Sequence, residues 1–148
     1  MKSIIKNFVT DSEKPIEDAI KFMEYRAKDI LKKNDWYKDL YIDPNVDIVN
    51  SHPQVIQQVK EEISDFLNLL KKHDVKNLLQ IGLGHWASTH YVLSLLLENI
   101  TTIEYDVTHV ERYMPESSFG FESIITGNSF QVHKKLEDES FDAVFIDG

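Results

Sequence analysis

Cysteine is absent from this chain of 148 residues, so it has no disulfide bond, no thiolate zinc site and no cysteine nucleophile. Long apolar runs are absent too, because no stretch reaches the roughly 18 apolar residues of a transmembrane helix. Charged residues interrupt the segment from Met1 to Phe8 too early for the apolar core of a signal peptide. These absences predict a cytoplasmic protein that does not span a membrane.

Basic side chains are scarce in the second half of the sequence. Residues 77–148 contain Arg112, Lys134 and Lys135 against 11 acidic side chains, and the whole chain has a net charge of −9. This half would repel a phosphate backbone, so we do not expect nucleic acid as a partner. A neutral or cationic small molecule would not meet this electrostatic repulsion, so it is easier to accommodate than a polyphosphate.

The composition is that of an ordinary globular domain, with 42% hydrophobic and 28% charged residues. In the first half, apolar residues recur at helical spacing. This pattern predicts one helix from Ser12 to about Lys33 and a second helix that begins near Ser51. The apolar face of the second helix is predicted to contain Val55, Val59, Ile63, Phe66, Leu67 and Leu70.

From residue 77 onward, four short apolar runs rich in β-branched residues predict strands. These runs cover residues 78–81, 100–103, 123–126 and 141–146. Candidate helices lie between them at about 88–98, 108–114 and 129–137, and their first residues, Ser88, Thr108 and Ser129, are the predicted N-caps. Because strands that alternate with helices form βαβ units, the pattern predicts an α/β fold with a parallel sheet.

Residues suited to ligand binding follow each predicted strand. After the first strand, Gly82-Leu83-Gly84 forms a turn whose backbone can approach a ligand closely, and the next helix start attracts anionic groups. Glu104 ends the second strand, where a carboxylate can accept two ribose hydroxyls. Asn128 and Asp147 follow the third and fourth strands. Since the carboxyl ends of parallel strands meet at one edge, the sequence predicts a crevice for an adenine-containing cofactor.

In this order the motifs resemble those of the class I S-adenosylmethionine-dependent methyltransferases. The likeness is greatest to the small-molecule O-methyltransferases of the catechol and caffeoyl-CoA type and their bacterial relatives. It covers roughly Val55 to Gly148 and depends on Gln80-Ile81-Gly82, Ile103-Glu104-Tyr105-Asp106, Gly127-Asn128-Ser129-Phe130 and Phe141 to Gly148. The resemblance implies a Rossmann-like, doubly wound parallel sheet of strand order 3-2-1-4 after two N-terminal helices. It also implies methyl transfer to a small molecule, most simply to oxygen.

The resemblance further implies roles for single residues. Glu104 would bind the ribose, Tyr105 would lie against adenine, and Ser88 would place a hydroxyl near the methionine carboxylate. Asp147 would lie beside the transferred methyl group as the catalytic base. The full set implied to contact the cofactor is Gln80, Ile81, Gly82, Leu83, Gly84, His85, Ser88, Glu104, Tyr105, Asn128, Ser129 and Asp147. In the metal-dependent branch of the family this aspartate also binds Mg²⁺, but nothing else in the sequence supports a metal site.

The sequence departs from the family pattern at three points. Gln80 replaces the acidic residue that helps to hold the cofactor's ammonium group, although its amide oxygen can still accept a hydrogen bond. Trp86 occupies the place of the third glycine. The family fold also continues with three further strands after the fourth, so this sequence supports cofactor binding more strongly than methyl transfer.

Two other functions fit parts of the sequence. Gly82-x-Gly84-x-x-Ala87 followed by Glu104 also fits a nicotinamide-dinucleotide site. A non-catalytic module that acts through an exposed edge strand is the second alternative, because Val144-Phe145-Ile146 would be bare at a sheet edge. That edge predicts either self-association or a following segment that covers it. The predicted organisation is a helical segment or lid over residues 1–50 and a cofactor-binding domain over residues 51–148.

Overall fold

The computed structural model describes residues 15–23, 58–84, 87–97, 99–108, 124–136 and 140–147. The first helix, α1, covers residues 15–23. The elements that follow are α2 (Lys60–Lys72), β1 (Asn77–Ile81), α3 (Ser88–Leu96), β2 (Asn99–Glu104), β3 (Ile124–Thr126), α4 (Ser129–Val132) with a 3₁₀ turn (His133–Lys135), and β4 (Ala143–Ile146). None of the helices in these ranges is long and apolar enough to cross a membrane.

The four strands form one parallel sheet in the order β3-β2-β1-β4. β1 lies between β2 and β4, with Leu78 opposite both Ile100 and Ala143. Its middle residues are buried, as expected for a strand with neighbours on both sides and helices over the sheet. The predicted α/β class, the parallel sheet and the 3-2-1-4 strand order are confirmed.

The larger core lies on the sheet face that α1, α2 and α3 cover. In α2 the buried residues Ile63, Leu67 and Leu70 follow helical spacing, so one apolar stripe faces the sheet. Acidic residues in the first turn of α2 and lysines in its last turn complement the helix dipole. Phe66 of α2 also contacts Phe145 of β4, with ring centroids 4.9 Å apart. These contacts fix the edge strand β4 against α2.

A smaller core lies on the opposite face of the sheet. Leu79 and Ile103 pack there with Val132 of α4. Successive side chains of a strand point to opposite faces, which is why Leu78 and Leu79 belong to different clusters. Helical residues therefore contact both faces of the sheet.

The second predicted helix begins later than the sequence pattern indicated. Val59 has extended backbone angles (φ −81°, ψ 125°) and α2 starts at Lys60. Val59 is more than half exposed and serves as the residue before the helix, its carbonyl accepting the N–H of Ile63 at 3.0 Å. The prediction that Val59 lies on the buried helix face is therefore wrong, and a β-branched residue suits the extended conformation better. Residues 51–57 and most of the first predicted helix lie outside the described residues.

A carboxylate joins β4 to β1 at the amino end of the sheet. Asp142 Oδ2 accepts the backbone N–H of Asn77 at 2.8 Å and that of Lys76 at 2.9 Å. These two backbone bonds, the one from Asn77 first, hold the pKa of Asp142 below its ordinary value of 3.8. Charge-assisted bonds of this kind are stronger than neutral ones, so Asp142 anchors the start of the edge strand.

We expect the variant Asp142→Asn to melt a few degrees below the wild type at pH 7. Because the folded-state pKa is lowered, the carboxylate stabilises the fold above the unfolded-state pKa of about 3.9. That contribution is lost as the pH falls through the folded-state pKa, so the two melting temperatures should converge in acid. Circular dichroism melts across this pH range measure the difference. The control is Asp74→Asn, which removes an exposed carboxylate that pairs with the exposed side chain of Lys76. Equal melting of Asp142→Asn and the wild type at pH 7 would contradict the prediction.

Candidate functional site

The carboxyl ends of the strands are joined by backbone hydrogen bonds that continue beyond the strands. Gly82 N–H donates to the Ile103 carbonyl at 2.9 Å, and Asp147 N–H donates to the Ile81 carbonyl at 2.8 Å. Gly127 N–H donates to the Glu104 carbonyl, also at 2.8 Å. The turns after β1, β3 and β4 therefore begin in one fixed register at the carboxyl edge of the sheet.

The turn after β1 has a backbone that favours glycine. Gly82 and Gly84 have φ angles of 89° and 65°, in the region that L side chains avoid. Leu83, between them, is buried against Ala87 and the partly buried Val107 and Ile124. Burial of the Leu83 side chain thus holds the turn in place, while the positive φ angles of its two glycines determine the course of the backbone. His85 and Trp86 lie outside the described residues, so the predicted contact of His85 with the cofactor stays a prediction.

Glu104 bridges the turns after β1 and β2. Its Oε2 accepts the backbone N–H of Leu83 at 2.6 Å, and its Oε1 accepts the N–H of Tyr105 at 2.8 Å and that of Asp106 at 3.3 Å. A carboxylate offers about four acceptor positions, and these contacts use three of them. A pair of ribose hydroxyls could therefore bind if it displaced the long contact with Asp106. The carboxylate lies beside the glycine turn, as its predicted role requires.

The turn after β3 is built by Gly127 and Asn128. Gly127 has a φ angle of 141°, and a Cβ at this position would lie 2.7 Å from Cγ1 of Val132. The Oδ1 atom of Asn128 accepts the N–H of Phe130 at 2.9 Å and so caps α4. Ser129 is the first residue of α4 and is half-buried. The amide oxygen of Asn128 is used in this cap, which leaves its amide N–H₂ group as the natural donor to an adenine edge.

Two aromatic side chains extend from neighbouring strand ends. Tyr105, after β2, is 74% exposed, and Phe130, after β3, is 85% exposed. Exposed aromatic rings beside a polar turn offer faces against which a planar ligand could pack. The resemblance implies that Tyr105 packs against adenine in this way. Phe130 was only part of the motif, and its exposure adds it to the candidate residues.

Asp147 follows β4 and is half-buried. Its Oδ2 accepts a hydrogen bond of 2.7 Å from Nε2 of Gln58, the residue that lies two positions before α2. This contact joins the beginning of α2 to the strand-end carboxylate and orients it. The carboxylates of Glu104 and Asp147 thus lie at the ends of β2 and β4, on either side of the glycine turn that follows β1.

Gln80 and Ser88, like Leu83, are predicted site residues that the structure places in the interior. Gln80 is fully buried; its Oε1 lies 2.8 Å from His90 Nδ1, and its Nε2 donates to the Gly82 carbonyl at 3.0 Å. Ser88 is also buried, as the first residue of α3. The residue before the helix is Ala87, in a left-handed conformation, so the prediction that Ser88 is the N-cap is wrong. Ile81 is half-buried at the end of β1.

Sequence reasoning missed two residues of this region, Gln58 and His90. Gln58 is 89 positions from its partner Asp147, and no local pattern indicates such a contact. His90 belongs to none of the motifs at the strand ends, and the structure buries it on α3 against Gln80. A buried polar residue at position 80, in the middle of an apolar strand, was the signal that could have pointed to a partner.

Within the ranges that the structure describes, no three histidine, aspartate or glutamate side chains form a group that could hold a metal ion. The chain matches no family model, no curated protein and no solved structure. The function must therefore be argued from the site itself.

Proposed function

We propose that this chain binds S-adenosylmethionine and is a methyltransferase, or its cofactor-binding part, that acts on a hydroxyl group of a small molecule. The fold class that goes with this proposal is the Rossmann-like, doubly wound sheet. The observation that carries the proposal is the position of Glu104. This carboxylate, at the end of β2, contacts the backbone of the glycine turn after β1, with Oε2 2.6 Å from Leu83 N. A ribose bound at this point would contact the carboxylate and the glycine turn together.

The remaining residues at the strand ends fit the parts of the cofactor. The exposed rings of Tyr105 and Phe130 would pack against adenine, and the amide nitrogen of Asn128 would donate to its edge. The start of α3 directly follows the turn, and its backbone N–H groups favour the methionine carboxylate. Net charge of −9 favours a cationic sulfonium over a polyphosphate.

When bound, S-adenosylmethionine supplies an activated sulfonium methyl group. The protein must then hold the acceptor oxygen in line with that group, exclude water and remove the acceptor proton. Asp147 is the residue proposed to take this proton. Its carboxylate is fixed by Gln58 through Oδ2, which directs the other oxygen, Oδ1, as the proton acceptor. In the balanced reaction the S–CH₃ bond would break and an O–CH₃ bond would form, S-adenosylhomocysteine would leave as a neutral thioether, and the acceptor proton would end on Asp147.

Isothermal calorimetry with S-adenosylhomocysteine, with NADH as the matched control, tests the proposal. Binding of S-adenosylhomocysteine alone, with a micromolar dissociation constant, is the expected result. Binding of NADH alone would identify a nicotinamide-dinucleotide site, which the Gly82-x-Gly84-x-x-Ala87 spacing with Glu104 also fits. Binding of neither ligand would contradict both functions and favour the non-catalytic module.

The proposal extends to partners and location: a small-molecule acceptor, no nucleic acid or membrane partner, and the cytoplasm. It also includes pairing of two copies through β4. Among the described strands, β4 pairs with β1 alone, and its Val144 and Ile146 are 50% and 70% exposed. Two β4 strands related by a two-fold axis could pair and cover these side chains.

We expect light scattering to report a dimer for the wild type and a monomer for Val144→Lys, because a lysine on an edge strand opposes pairing. Leu69→Lys is the matched control, since Leu69 of α2 is equally exposed but lies away from the edge strand. A monomeric wild type at high concentration would contradict pairing through β4.

A further inference from the structure

Three buried polar residues lie directly beneath the glycine turn and come from three different elements. Gln80 belongs to β1, His90 to α3 and Thr102 to β2. Gln80 and Thr102 are fully buried and His90 nearly so. The Nδ1 atom of His90 lies 2.8 Å from Gln80 Oε1 and 3.4 Å from Thr102 Oγ1. We call these residues the Gln80 cluster. Polar groups in a protein interior are costly unless they are bonded, so the cluster calls for a specific role.

The bond to Gly82 fixes the orientation of the Gln80 amide. A carbonyl oxygen only accepts hydrogen bonds, so the group of Gln80 that lies 3.0 Å from the Gly82 oxygen must be the N–H₂ group. The amide oxygen then faces His90, and Nδ1 of His90 must carry a proton to donate to it. The hydrogen bonds of the cluster therefore run in one direction: His90 donates to the amide oxygen of Gln80, and the amide nitrogen of Gln80 donates to the Gly82 carbonyl.

The same argument explains why an amide is suitable at position 80. A carboxylate there would direct an oxygen at the Gly82 carbonyl, and two acceptors at about 3 Å repel each other. Gln80 has no exposed surface from which to contact a ligand. Its effect on a ligand must pass through the backbone of the Gly82 turn, whose next N–H, that of Leu83, is bound to Glu104.

We propose that Gln80 and His90 are positioning residues that hold the glycine turn in its ligand-competent conformation, with His90 fixing the Gln80 amide and the amide fixing the Gly82 carbonyl. The consequence for affinity rests on the proposed S-adenosylmethionine function, whereas the effect on the turn does not. This assigns Gln80 an indirect role in place of direct contact with the cofactor.

Four variants separate the cluster from a general effect of burial. Gln80→Glu keeps the size of the side chain and removes the donor to Gly82. His90→Leu removes the donor to Gln80, whereas His90→Asn keeps an N–H group near the position of Nδ1. Ser94→Ala is the matched control, because its hydroxyl donates to a backbone group of its own helix, the Tyr91 carbonyl, at 2.8 Å.

The first readout needs no ligand and is hydrogen exchange of the Gly82 and Leu83 amides by NMR. We expect exchange at least fivefold faster in Gln80→Glu and His90→Leu, and close to the wild-type rate in His90→Asn and Ser94→Ala. The amide of Leu67 in the core of α2 reports general destabilisation and should not change. Equal acceleration at Leu67 and at the turn, or no acceleration at all, would overturn the proposal.

The second readout uses the wild type alone and does not depend on whether a variant folds. Long-range ¹⁵N–¹H spectra of the imidazole should show a proton on Nδ1 of His90. A proton on Nε2 only would overturn the assigned direction of the cluster.

The third readout is the affinity for S-adenosylhomocysteine by calorimetry. Loss of one buried hydrogen bond corresponds to about tenfold weaker binding, which we expect for Gln80→Glu and His90→Leu. His90→Asn should bind within about threefold of the wild type, and unchanged affinity in all variants would overturn the effect on the ligand. If the wild type does not bind S-adenosylhomocysteine while the exchange and imidazole results hold, the methyltransferase proposal fails and the positioning role in the turn stands.

Discussion

Replacing Glu104 with glutamine is expected to weaken the binding of S-adenosylhomocysteine by about tenfold to a hundredfold. The carboxylate accepts N–H groups with both oxygens, from Leu83 at 2.6 Å and from Tyr105 at 2.8 Å. In glutamine one of these oxygens becomes an N–H₂ group, which would face a backbone donor. The ribose hydroxyls would also lose a charged acceptor, and hydrogen bonds to charged groups contribute about 1.5–3 kcal/mol each. Calorimetry at constant pH and ionic strength measures the change.

Two roles of Glu104 would both weaken binding, and a second ligand distinguishes them. An analogue of S-adenosylhomocysteine without the ribose hydroxyls cannot use a ribose acceptor. If Glu104 contacts the ribose, the variant and the wild type should bind this analogue with similar affinity. If Glu104 only anchors the turn, the variant should lose as much affinity for the analogue as for the natural ligand. Glu62→Gln on α2 is the control for loss of one negative charge, and full affinity of Glu104→Gln for S-adenosylhomocysteine would remove Glu104 from the site.

The strands and their order could be predicted because local pattern and topology agree. β-branched residues in short runs indicate strands, and β1, β2, β3 and β4 lie within about two residues of the predicted runs. Right-handed crossovers limit how such strands can be arranged, and the family likeness selected one order. The position of Glu104 beside the glycine turn follows from parallel pairing alone, since Ile81 and Ile103 are register partners.

The side-chain contacts inside the site could not be predicted, because they join distant parts of the chain. Gln58 contacts Asp147 where the beginning of α2 meets the end of β4, and the same two elements also pack through Phe66 and Phe145. The predicted helix starts at residues 88 and 129 are correct, but the N-caps were placed one residue too late: Asn128, with extended backbone angles, precedes α4 and accepts the N–H of Phe130. Residue types favoured at N-caps indicate where a helix begins to within one or two residues. The backbone angles determine which of these residues is the N-cap.

The role that we propose for Gln80 differs from the one that the resemblance implies. The residue lies in the first strand, β1, next to its last residue. The likeness implies that this side chain faces the cofactor. The alternation of β1 instead directs it to the same face as Leu78, toward α3, where His90 binds it. A neutral side chain is suited to that interior position, which gives a physical reason for glutamine rather than an acidic residue at position 80.

Replacing Asp147 with asparagine is expected to lower kcat by at least about a hundredfold while the affinity for S-adenosylhomocysteine stays within about threefold. Removal of a general base typically slows a reaction by 10²- to 10⁴-fold, and asparagine cannot take the acceptor proton. Its amide oxygen can still accept the hydrogen bond of Gln58, so the turn after β4 should keep its structure. The assay measures formation of S-adenosylhomocysteine from S-adenosylmethionine, with catechol as the acceptor.

Two further variants assign this loss to proton transfer. Asp142→Asn removes an aspartate from the other end of the same strand, where it binds the backbone of Lys76 and Asn77, so it should lower stability and leave kcat unchanged. Gln58→Leu keeps the Asp147 carboxylate but removes the group that orients it, and should lower kcat by about tenfold, less than Asp147→Asn. A rate for Asp147→Asn within twofold of the wild type would exclude it as the base. In that case Asp147 would serve the site only through its contact with Gln58, and the base would have to come from the acceptor's side of the crevice.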